Sequence, residues 1–289
     1  MTPVLRLGRR TFAPGELAVM AIVNRTPDSF FDRGATFTQD AALRSVEQAV
    51  TEGADIIDIG GVKAGPGEHV DAAEQLRRTI STIEAVRAEF PEIVISIDTW
   101  RAEVAREAVP AGADLINDTW AGADEGLAEV AAATGAALVC SHTGGLPPRT
   151  RLHRAAFTDV VADVIGTVTR LAERALALGV RRDGILIDPA HDFGKNTRHS
   201  LQVTRQLGDL VDTGWPVLVA LSNKDFIGET LDLPVTDRLE GTLAATTVSA
   251  WLGARVFRAH QVRQTRRVLD MVAAIRGDRQ PALSRRGLA

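Results

Sequence analysis

Eight short apolar segments recur along the chain at intervals of about 34 residues, close to the length of one strand–helix unit. They are rich in Val, Ile and Leu and lack polar alternation, which is typical of parallel strands buried on both faces. The segments are Ala18–Val23, Ala54–Ile59, Ile93–Ile97, Asp114–Ile116, Ala136–Cys140, Gly184–Ile187, Pro216–Leu221 and Ala254–Phe257. Helical patterns separate them, among them Arg198–Val211. Eight such units predict the α/β class and a (β/α)8 TIM barrel.

No linker-like stretch interrupts this pattern, so we expect one domain over residues 1–289. The alternative, a doubly wound open sheet, requires a glycine-rich turn after the first strand, and the segment 24–27 (Asn-Arg-Thr-Pro) is not one. Residues 1–17 alternate apolar and polar side chains around Gly8, which predicts a small hairpin that closes the bottom of the barrel.

Composition excludes several classes of function. The chain has 33 basic and 37 acidic residues, so we expect no nucleic-acid or membrane partner. The single Cys140 rules out a disulfide framework and any multi-cysteine metal site. No apolar stretch approaches the roughly 20 residues of a membrane span, and none resembles a signal peptide. We therefore expect a cytoplasmic protein.

Polar residues follow the predicted strands at their carboxyl ends, the face on which barrel enzymes carry their active sites. They are Asn24, Asp58, Asp98, Asn117, Asp118, Ser141, His142, Asp188, Ser222, Asn223, Lys224, Arg258 and His260. For a single Asn or Asp, the alternative is a cap on the next helix, and we weigh it equally for Asp58 and Asp118. That alternative does not account for the whole set.

The residue types in this set indicate two kinds of binding. Carboxylates, an amide and an ammonium group suit the edge of a flat, nitrogen-rich heterocycle. Arg258 and His260 lie two residues apart and so point to the same side of one strand. With Asn24 on the neighbouring strand, they predict an anion or phosphate pocket in which a divalent metal could bridge.

The segment 24–30 (Asn-Arg-Thr-Pro-Asp-Ser-Phe) resembles the first signature of the dihydropteroate synthases, pterin-binding barrel enzymes of folate synthesis. Further segments resemble the family in the same order and extend over nearly the whole chain. They are 53–61 (Gly-Ala-Asp-Ile-Ile-Asp-Ile-Gly-Gly), 96–99 (Ser-Ile-Asp-Thr), 116–118 (Ile-Asn-Asp), Asp188-Pro189, 193–195 (Phe-Gly-Lys) and 258–260 (Arg-Ala-His).

The resemblance implies a reaction in which dihydropterin pyrophosphate loses pyrophosphate and the amine of p-aminobenzoate attacks the pterin methylene. It implies that the pterin is held by Asp98, Asn117, Asp188, Phe193, Lys224 and Arg258. Among these, it assigns the catalytic roles to Asp98, Asp188 and Lys224. It further implies that Asn24, Arg258 and His260 bind the pyrophosphate, with Asn24 on Mg²⁺. Homodimers are common in the family, and the Ala-rich helical pattern Gly241–Leu252 fits a subunit contact.

The chain departs from the family in the loops expected to hold the second substrate. After the second strand the family has Gly-Glu-Ser-Thr-Arg-Pro-Gly, whereas residues 61–67 read Gly-Val-Lys-Ala-Gly-Pro-Gly. After the seventh strand, Asn223 replaces an arginine that it cannot match as a bidentate cation. Ser141 replaces a methionine, and residues 190–192 (Ala-His-Asp) replace a glycine-rich stretch. These changes leave p-aminobenzoate in doubt as a partner, whereas pterin pyrophosphate stays expected.

Three functions remain open on the sequence. The first is an active dihydropteroate synthase. The second is a paralogue in which the condensation is weak or absent, down to a non-catalytic pterin- or phosphate-binding module. The third is a pterin-dependent methyltransferase on the same scaffold. The first signature and the Arg258/His260 pair favour the first two, and the altered loops favour the paralogue. We interpret His142, His191 and His199 as surface or supporting residues rather than a metal site, because they lie on separate loops.

Overall fold

The computed structural model describes residues 3–27, 34–63, 65–150 and 156–287. Within these ranges, eight parallel strands form one sheet in which neighbours follow the order of the chain and the eighth strand pairs with the first. A further parallel bridge between Ile187 and Val217 joins the sixth strand to the start of the seventh and closes the barrel. Each of the eight predicted strands is present, and so is the N-terminal hairpin. The predicted fold class is therefore confirmed.

The hairpin consists of β1 (Leu5–Leu7) and β2 (Arg10–Phe12). The barrel strands are β3 (Ala18–Asn24), β4 (Ile56–Gly60), β5 (Val94–Asp98), β6 (Leu115–Asp118), β7 (Ala137–Ser141), β8 (Ile185–Asp188), β9 (Leu218–Ala220) and β10 (Val256–Ala259). The helices are α1 (Gln39–Thr51), α2 (Ala72–Glu89), α3 (Ala102–Ala111), α4 (Gly126–Thr134), α5 (Val160–Leu178), α6 (Thr197–Arg205), α7 (Leu207–Val211), α8 (Asp225–Leu231), α9 (Leu239–Trp251) and α10 (Val262–Arg276).

The unbroken apolar character of the strands follows from burial on both faces. One set of strand residues, such as Val19, Ile57 and Ile95, packs outward against the helices. The alternate set, such as Met20 and Ile56, fills the barrel interior. Successive side chains on a strand point to opposite faces, so the residue two positions after an inward residue also points inward. This alternation decides which strand-end side chains reach the site.

The N-terminal hairpin closes the bottom of the barrel. Leu5, Leu7 and Phe12 are buried in one cluster with the inward residues of the lower strand ends. Gly8 makes the turn with φ +54°, where a Cβ would lie 2.3 Å from Asp114 Oδ1. Glycine is therefore required at this turn on both conformational and steric grounds.

Two details of the helical layer differ from the sequence-based expectation. The predicted helix Arg198–Val211 is divided into α6 and α7, which meet at Gln206. Helix α8, which the sequence pattern did not predict, is a seven-residue insertion directly after Lys224. The first turn of α8 is held by a hydrogen bond in which the Phe226 backbone amide donates to Asp192 Oδ2 at 3.1 Å. Because Lys224 directly precedes α8, this bond helps to place it.

The longest helices in the described ranges, α2 and α5, have 18 and 19 residues. Each buries one face against the barrel. In the part of the chain that the structure describes, no helix has both the length and the apolar character that a bilayer crossing needs.

The hairpin makes a testable contribution to stability. Leu7→Ala removes a fully buried side chain, and we expect the free energy of unfolding to fall by about 2–5 kcal/mol. The neighbouring Val4 is 42% exposed, so Val4→Ala should change it by less than about 0.5 kcal/mol. Urea unfolding measures both, and equal losses would show that the hairpin does not seal the core.

Candidate functional site

The strand-end residues enter the barrel because of their register. Ile56, Val94, Leu115, Leu186 and Val256 all point into the barrel. Two residues later on four of these strands, and four residues later on β5, the inward positions at the upper end are polar. They are Asp58, Asp98, Asn117, Asp188 and Arg258. The barrel therefore changes from an apolar lower core to a charged upper mouth.

Arg258 lies at the centre of this mouth and joins two carboxylates from different strands. Its Nε donates to Asp58 Oδ2 at 2.6 Å, and its Nη2 donates to Asp98 Oδ2 at 2.8 Å. Asp58 Oδ2 also accepts from Asn117 Nδ2 at 3.1 Å. Asp58 is fully buried. Its role is thus inside the site, and the helix-cap alternative does not apply to it.

Asp118, in contrast, is a loop cap. Its carboxylate accepts from the backbone amides of Trp120 at 2.9 Å and Gly122 at 2.6 Å. It borders a small outer pocket with Cys140 rather than the barrel mouth. Ser141 Oγ, in the place of the family's methionine, donates to the Asp118 carbonyl at 2.5 Å. Asp118 and Ser141 thus stabilise the loop after β6. The neighbouring Asn117, not Asp118, supplies the side chain that points into the barrel mouth.

Asp188, Lys224 and Phe193 form the other side of the mouth. Asp188 Oδ1 accepts from the Ala190 amide at 2.7 Å, and its carboxylate is within electrostatic range of Lys224 and Arg258. Lys224 Nζ lies 5.0 Å from the centroid of the Phe193 ring and donates to the carbonyl of His191. An ammonium in this position over a ring face gains cation–π stabilisation.

Burial shifts the acid–base behaviour of these groups. It raises the pKa of Asp98 to about 7, against the opposing effect of Arg258. It also raises the pKa of Asp188. The pKa of Lys224 is lowered by burial, although Asp192 and Asp188 oppose the shift. The mouth therefore holds one carboxylate, Asp98, that can gain a proton or share it with a ligand near neutral pH.

Two tryptophans line the same side, and the sequence analysis did not single them out. Trp120 packs edge-on against Phe193 with ring centroids 5.5 Å apart, and Trp100 packs against Trp120 at 6.4 Å. Thr119, next to Trp120, donates its hydroxyl to Asp98 Oδ1 at 3.3 Å. The position of both tryptophans directly after strand ends was the available signal.

The predicted anion pocket carries less positive charge than its residue types suggest. His260 Nδ1 pairs with Ser222 Oγ at 3.0 Å, and burial, together with Arg258, lowers the pKa of His260 to about 3. His260 is thus a neutral donor, and Arg258 carries the cation. Asn24 ends β3 opposite Gly60 of β4. Pyrophosphate binding by these residues stays a prediction.

The predicted Mg²⁺ ligand is Asn24. Among the described residues, no group of three or more His, Cys, Asp or Glu side chains is placed to hold a metal ion. Mg²⁺ commonly keeps several waters and binds through substrate phosphates with one or two protein oxygens. The donor set therefore fits Mg²⁺ only as an ion that arrives with a pyrophosphate.

In the loop after β9, Asn223 stands where the family has an arginine. Asn223 is buried and has φ +56°. Its side-chain Nδ2 donates to Gln261 Oε1 at 3.3 Å, and its backbone N–H donates to Thr242 Oγ1 at 3.1 Å. Thr242 lies in α9, and Gln261 lies between His260 and the start of α10. The Asn223 side chain is therefore buried and bonded within the protein.

The loop after β4 is equally unlike a carboxylate-binding loop in its described part, in which Ala64 is not included. Lys63 is half-buried. The carbonyl of Gly65 accepts from Arg149 Nε at 3.4 Å, and Arg149 also donates to the Glu68 carbonyl. An arginine from the loop after β7 thus holds the backbone of this loop.

The loop after β8 keeps an unusual backbone although the family's glycines are missing from part of it. Ala190 and Asp192 have φ +49° and +67°, in the left-handed region that glycine prefers. Gly194 is retained with φ +64°, and a Cβ there would lie 2.2 Å from the Thr143 carbonyl. This backbone carries Phe193 to the pocket.

The three scattered histidines have separate structural partners. His191 Nε2 pairs with Thr204 Oγ1 at 3.0 Å, and its ring stacks on Phe226. His199 forms a capping box with Asn196 at the start of α6. His142 pairs with Asp163 and Lys195.

Comparison with known proteins agrees with this geometry. Residues 20–260 match the family of pterin-binding enzymes. The chain belongs to this family. It is 59% identical over 286 residues to the Mycobacterium leprae "Inactive dihydropteroate synthase 2", covering 98% of each chain. It is 37% identical to the Haemophilus influenzae dihydropteroate synthase, covering 88% of this chain and 92% of that protein. The Yersinia pestis dihydropteroate synthase in a sulfonamide complex superposes with a TM-score of 0.90 at 33% identity, covering 96% and 100% of the chains.

Within this pterin-binding family member, the buried carboxylate Asp98 gives a measurable pH effect. Its raised pKa of about 7 means that the folded state keeps a proton that the unfolded chain releases near pH 4. The free energy of unfolding should therefore fall as pH rises from about 4 to 7. Asp98→Asn removes this titration and should make the fall smaller.

Urea unfolding at pH 4.5 and pH 8 tests this expectation. Asp40→Asn, at an exposed position in α1, is the control and should keep the wild-type pH dependence. An unchanged fall in Asp98→Asn would show that Asp98 ionises normally.

Proposed function

We propose that this protein is a dihydropteroate synthase paralogue that binds a dihydropterin pyrophosphate but condenses it with p-aminobenzoate weakly or not at all. The observation that carries the proposal is the contrast between the two halves of the mouth. The residues on strand ends form one connected, buried constellation around Arg258. The residues expected to hold the second substrate are missing from the loops, and Asn223, in the place of an arginine, is buried and bonded to Gln261.

The pterin would lie between the acidic centre and the aromatic side of the mouth. Asp98 and Asp188 can accept the N–H groups of its aminopyrimidine edge, while Asn117 and Lys224 can donate to its oxygen and ring nitrogens. Phe193 offers a ring edge or face at the wall. Arg258, Asp58 and Asp98 are already paired with one another here. The pocket therefore requires a ligand with matching donors and acceptors rather than any apolar ring.

The leaving group would lie toward Asn24, Arg258 and His260. Loss of pyrophosphate leaves a cationic pterin methylene, and the buried carboxylates stabilise that positive charge as it develops. Neutral His260 has one ring N–H, so it can donate to the anion through Nε2 only in the tautomer whose Nδ1 accepts from Ser222 Oγ. Mg²⁺, held by Asn24 and the pyrophosphate oxygens, would supply charge neutralisation for the departing anion.

Capture of the amine is the step that the chain does not support. A second aromatic acid needs a cation or a set of donors for its carboxylate, and closure of loops to exclude water. Ordering those loops costs about 1–2 kcal/mol per residue in backbone entropy. The family's arginines and hydroxyls would offset that cost, and this chain lacks them at residues 62–65 and 223. The name of the Mycobacterium leprae relative agrees with this proposal.

Binding and turnover should therefore separate. Purified protein should bind 6-hydroxymethylpterin in calorimetry, and inorganic pyrophosphate should also bind. With dihydropterin pyrophosphate, p-aminobenzoate and Mg²⁺, turnover should stay below one-hundredth of a typical ~10 s⁻¹. A combined variant with Lys63→Ser, Ala64→Thr, Gly65→Arg and Asn223→Arg should raise turnover at least tenfold.

Asp188→Asn in the wild-type and the combined backgrounds is the matched control, because it should weaken pterin binding in both. Wild-type turnover near ~10 s⁻¹ would refute loss of condensation. Absence of pterin binding would refute the whole proposal.

We also propose a homodimer through α8 and α9. Helix α9 is apolar around most of its circumference, and Val248 and Trp251 are 46% and 60% exposed on it. An apolar groove between α6, α8 and α9 is lined by Leu201, Phe226, Leu231, Ala244, Ala245 and Val248. The groove and the exposed Trp251 lie on one face of the chain, which is what a two-fold contact with a second copy requires, because each copy offers both.

Trp251→Glu combined with Val248→Glu should convert the dimer to a monomer, since two charges would be buried without partners. Light scattering after size-exclusion chromatography measures this change. Leu178→Glu, at a 41% exposed position on α5, should leave the dimer intact. A monomeric wild type would contradict the assignment of this face.

A further inference from the structure

The chain contains only three lysines, Lys63, Lys195 and Lys224, among its 33 basic residues. Lys195 is 3% exposed, and Lys224 lies in the candidate pterin pocket. The other 30 basic residues are arginines, which stay charged in proteins, whereas a buried lysine can change its protonation state. Lys195 belongs to the Phe-Gly-Lys segment 193–195, yet the proposed reaction gives it no role.

Lys195 is held by three acceptors from two loops. Its Nζ donates to His142 Nδ1 at 2.7 Å, to the Ala190 carbonyl at 3.2 Å and to the Phe193 carbonyl at 3.0 Å. An ammonium group has three N–H donors, so each of them is used. Because His142 Nδ1 accepts, its proton is on Nε2, which donates to Asp163 Oδ1 at 2.7 Å.

This chain of contacts connects the pocket to the outer surface. Asp163 lies in the first turn of α5, and its side chain is 50% exposed. His142 is buried beneath it. At the inner end, Lys195 donates to the carbonyl of Ala190, which is left-handed, and to the carbonyl of Phe193, which follows the left-handed Asp192. That backbone is unfavourable for residues other than glycine, so it needs external support to persist.

The supported loop supplies two parts of the pterin pocket. Phe193 forms its wall, and the His191 carbonyl accepts from Lys224. We propose that Lys195, held by His142 and Asp163, is a positioning residue of the pterin pocket that fixes Phe193 and Lys224 in their binding geometry. This inference rests on the proposed pterin function and extends it to residues that do not touch the ligand.

The proposal implies that pterin affinity depends on the charge of Lys195. Burial, reinforced by Lys224, lowers the pKa of Lys195 to about 7, while Asp188, Asp192 and Asp163 oppose the shift. A neutral amine has two N–H donors for the same three acceptors, so one contact of the loop is lost. Pterin affinity should therefore fall as pH rises through the pKa of Lys195.

Other ionisable groups near Lys195 also shape the pH profile of the wild type. They are His142 after β7, Asp163 on α5, Asp188 on β8, His191 and Asp192 in the loop, His199 on α6 and Lys224 after β9. Asp98 titrates near the same pH. The ratio of pterin affinities between wild type and a variant that differs only in the charge at residue 163 removes most of these shared contributions to the pH profile.

Asp163→Asn is that variant, since it retains an oxygen for His142 but removes the charge that raises the pKa of Lys195. Calorimetry with 6-hydroxymethylpterin should give wild-type affinity at pH 5.5 and pH 9. Between these values, where only the variant has lost its proton, affinity should be severalfold weaker. Glu173→Gln, an exposed change on the same helix, should follow the wild type at every pH.

The three-lysine composition permits a direct measurement on the folded protein. Labelling with ¹³C,¹⁵N-lysine gives three side-chain signals in NMR, and Lys63→Arg identifies one of them. The Lys195 signal should titrate with a pKa near 7 in wild type. It should titrate at lower pH in Asp163→Asn. A Lys195 pKa above 9 would overturn the inference.

The free energy of unfolding should change with pH in the direction opposite to pterin affinity. Since the unfolded chain keeps its Lys195 proton to about pH 10, the free energy of unfolding should rise with pH above 7. Pterin affinity should fall over the same range. If Lys195 only stabilised the fold, the free energy of unfolding would change with pH, whereas the pterin affinity of the folded protein would stay constant.

Lys195→Met should weaken pterin binding at least tenfold at pH 6. If this variant does not fold, the surface variant Asp163→Asn still decides the question. Wild type that binds pterin, with an affinity ratio for Asp163→Asn that is flat across pH, would overturn only this inference. Wild type that binds no pterin would refute the proposed function and this inference with it.

Discussion

The buried ion cluster of Arg258 with Asp58 and Asp98 determines the character of the barrel mouth. It joins β10 to β4 and β5 across the inside of the barrel, with contacts of 2.6 and 2.8 Å. Charges removed from water are costly unless each is paired and hydrogen-bonded. Asn117 adds a second donor at Asp58 Oδ2, but the buried Asp58 Oδ1 has no hydrogen-bond partner among the described residues. An apolar set of similar volume would pack here at less cost, so the cluster is better explained by ligand recognition than by stability.

The same cluster explains why the two halves of the site could diverge separately. Its residues are on strands whose positions are fixed by sheet pairing and by helices on the outer face. The second-substrate residues belong to loops, which can change without disturbing the strands. Asn223 illustrates such a change, because its buried side chain bonds to Gln261 in the loop after β10.

Much of this arrangement could be predicted from the sequence, because it depends on periodic local patterns. The eight strands follow from buried apolar runs, and the convergence of Asp98, Asn117 and Asp188 follows from strand register. The role of Asp58 could not be predicted, since a strand-end Asp can equally cap a helix, as Asp118 does for its loop. Helix α8 was missed because its seven residues are too few to show a period. The contacts that link Lys195 through His142 to Asp163 join residues 53 and 21 positions apart, and only tertiary packing brings them together.

A pocket that binds a pterin pyrophosphate but has no site for p-aminobenzoate cannot lower the barrier to their condensation. Catalysis requires interactions that strengthen in the transition state, and here those include the amine held in line with the pterin methylene. The carboxylates around Arg258 still favour a cationic methylene, so a bound pyrophosphate ester would be exposed to water or to another nucleophile. The loop around Phe193 holds Ala190 and Asp192 in the left-handed region, a conformation that costs backbone strain in residues other than glycine. Such strain is supported elsewhere in the structure, by Lys195, Ser200 and Lys224. A site under no demand to bind a ligand would have no physical reason to hold this backbone in place.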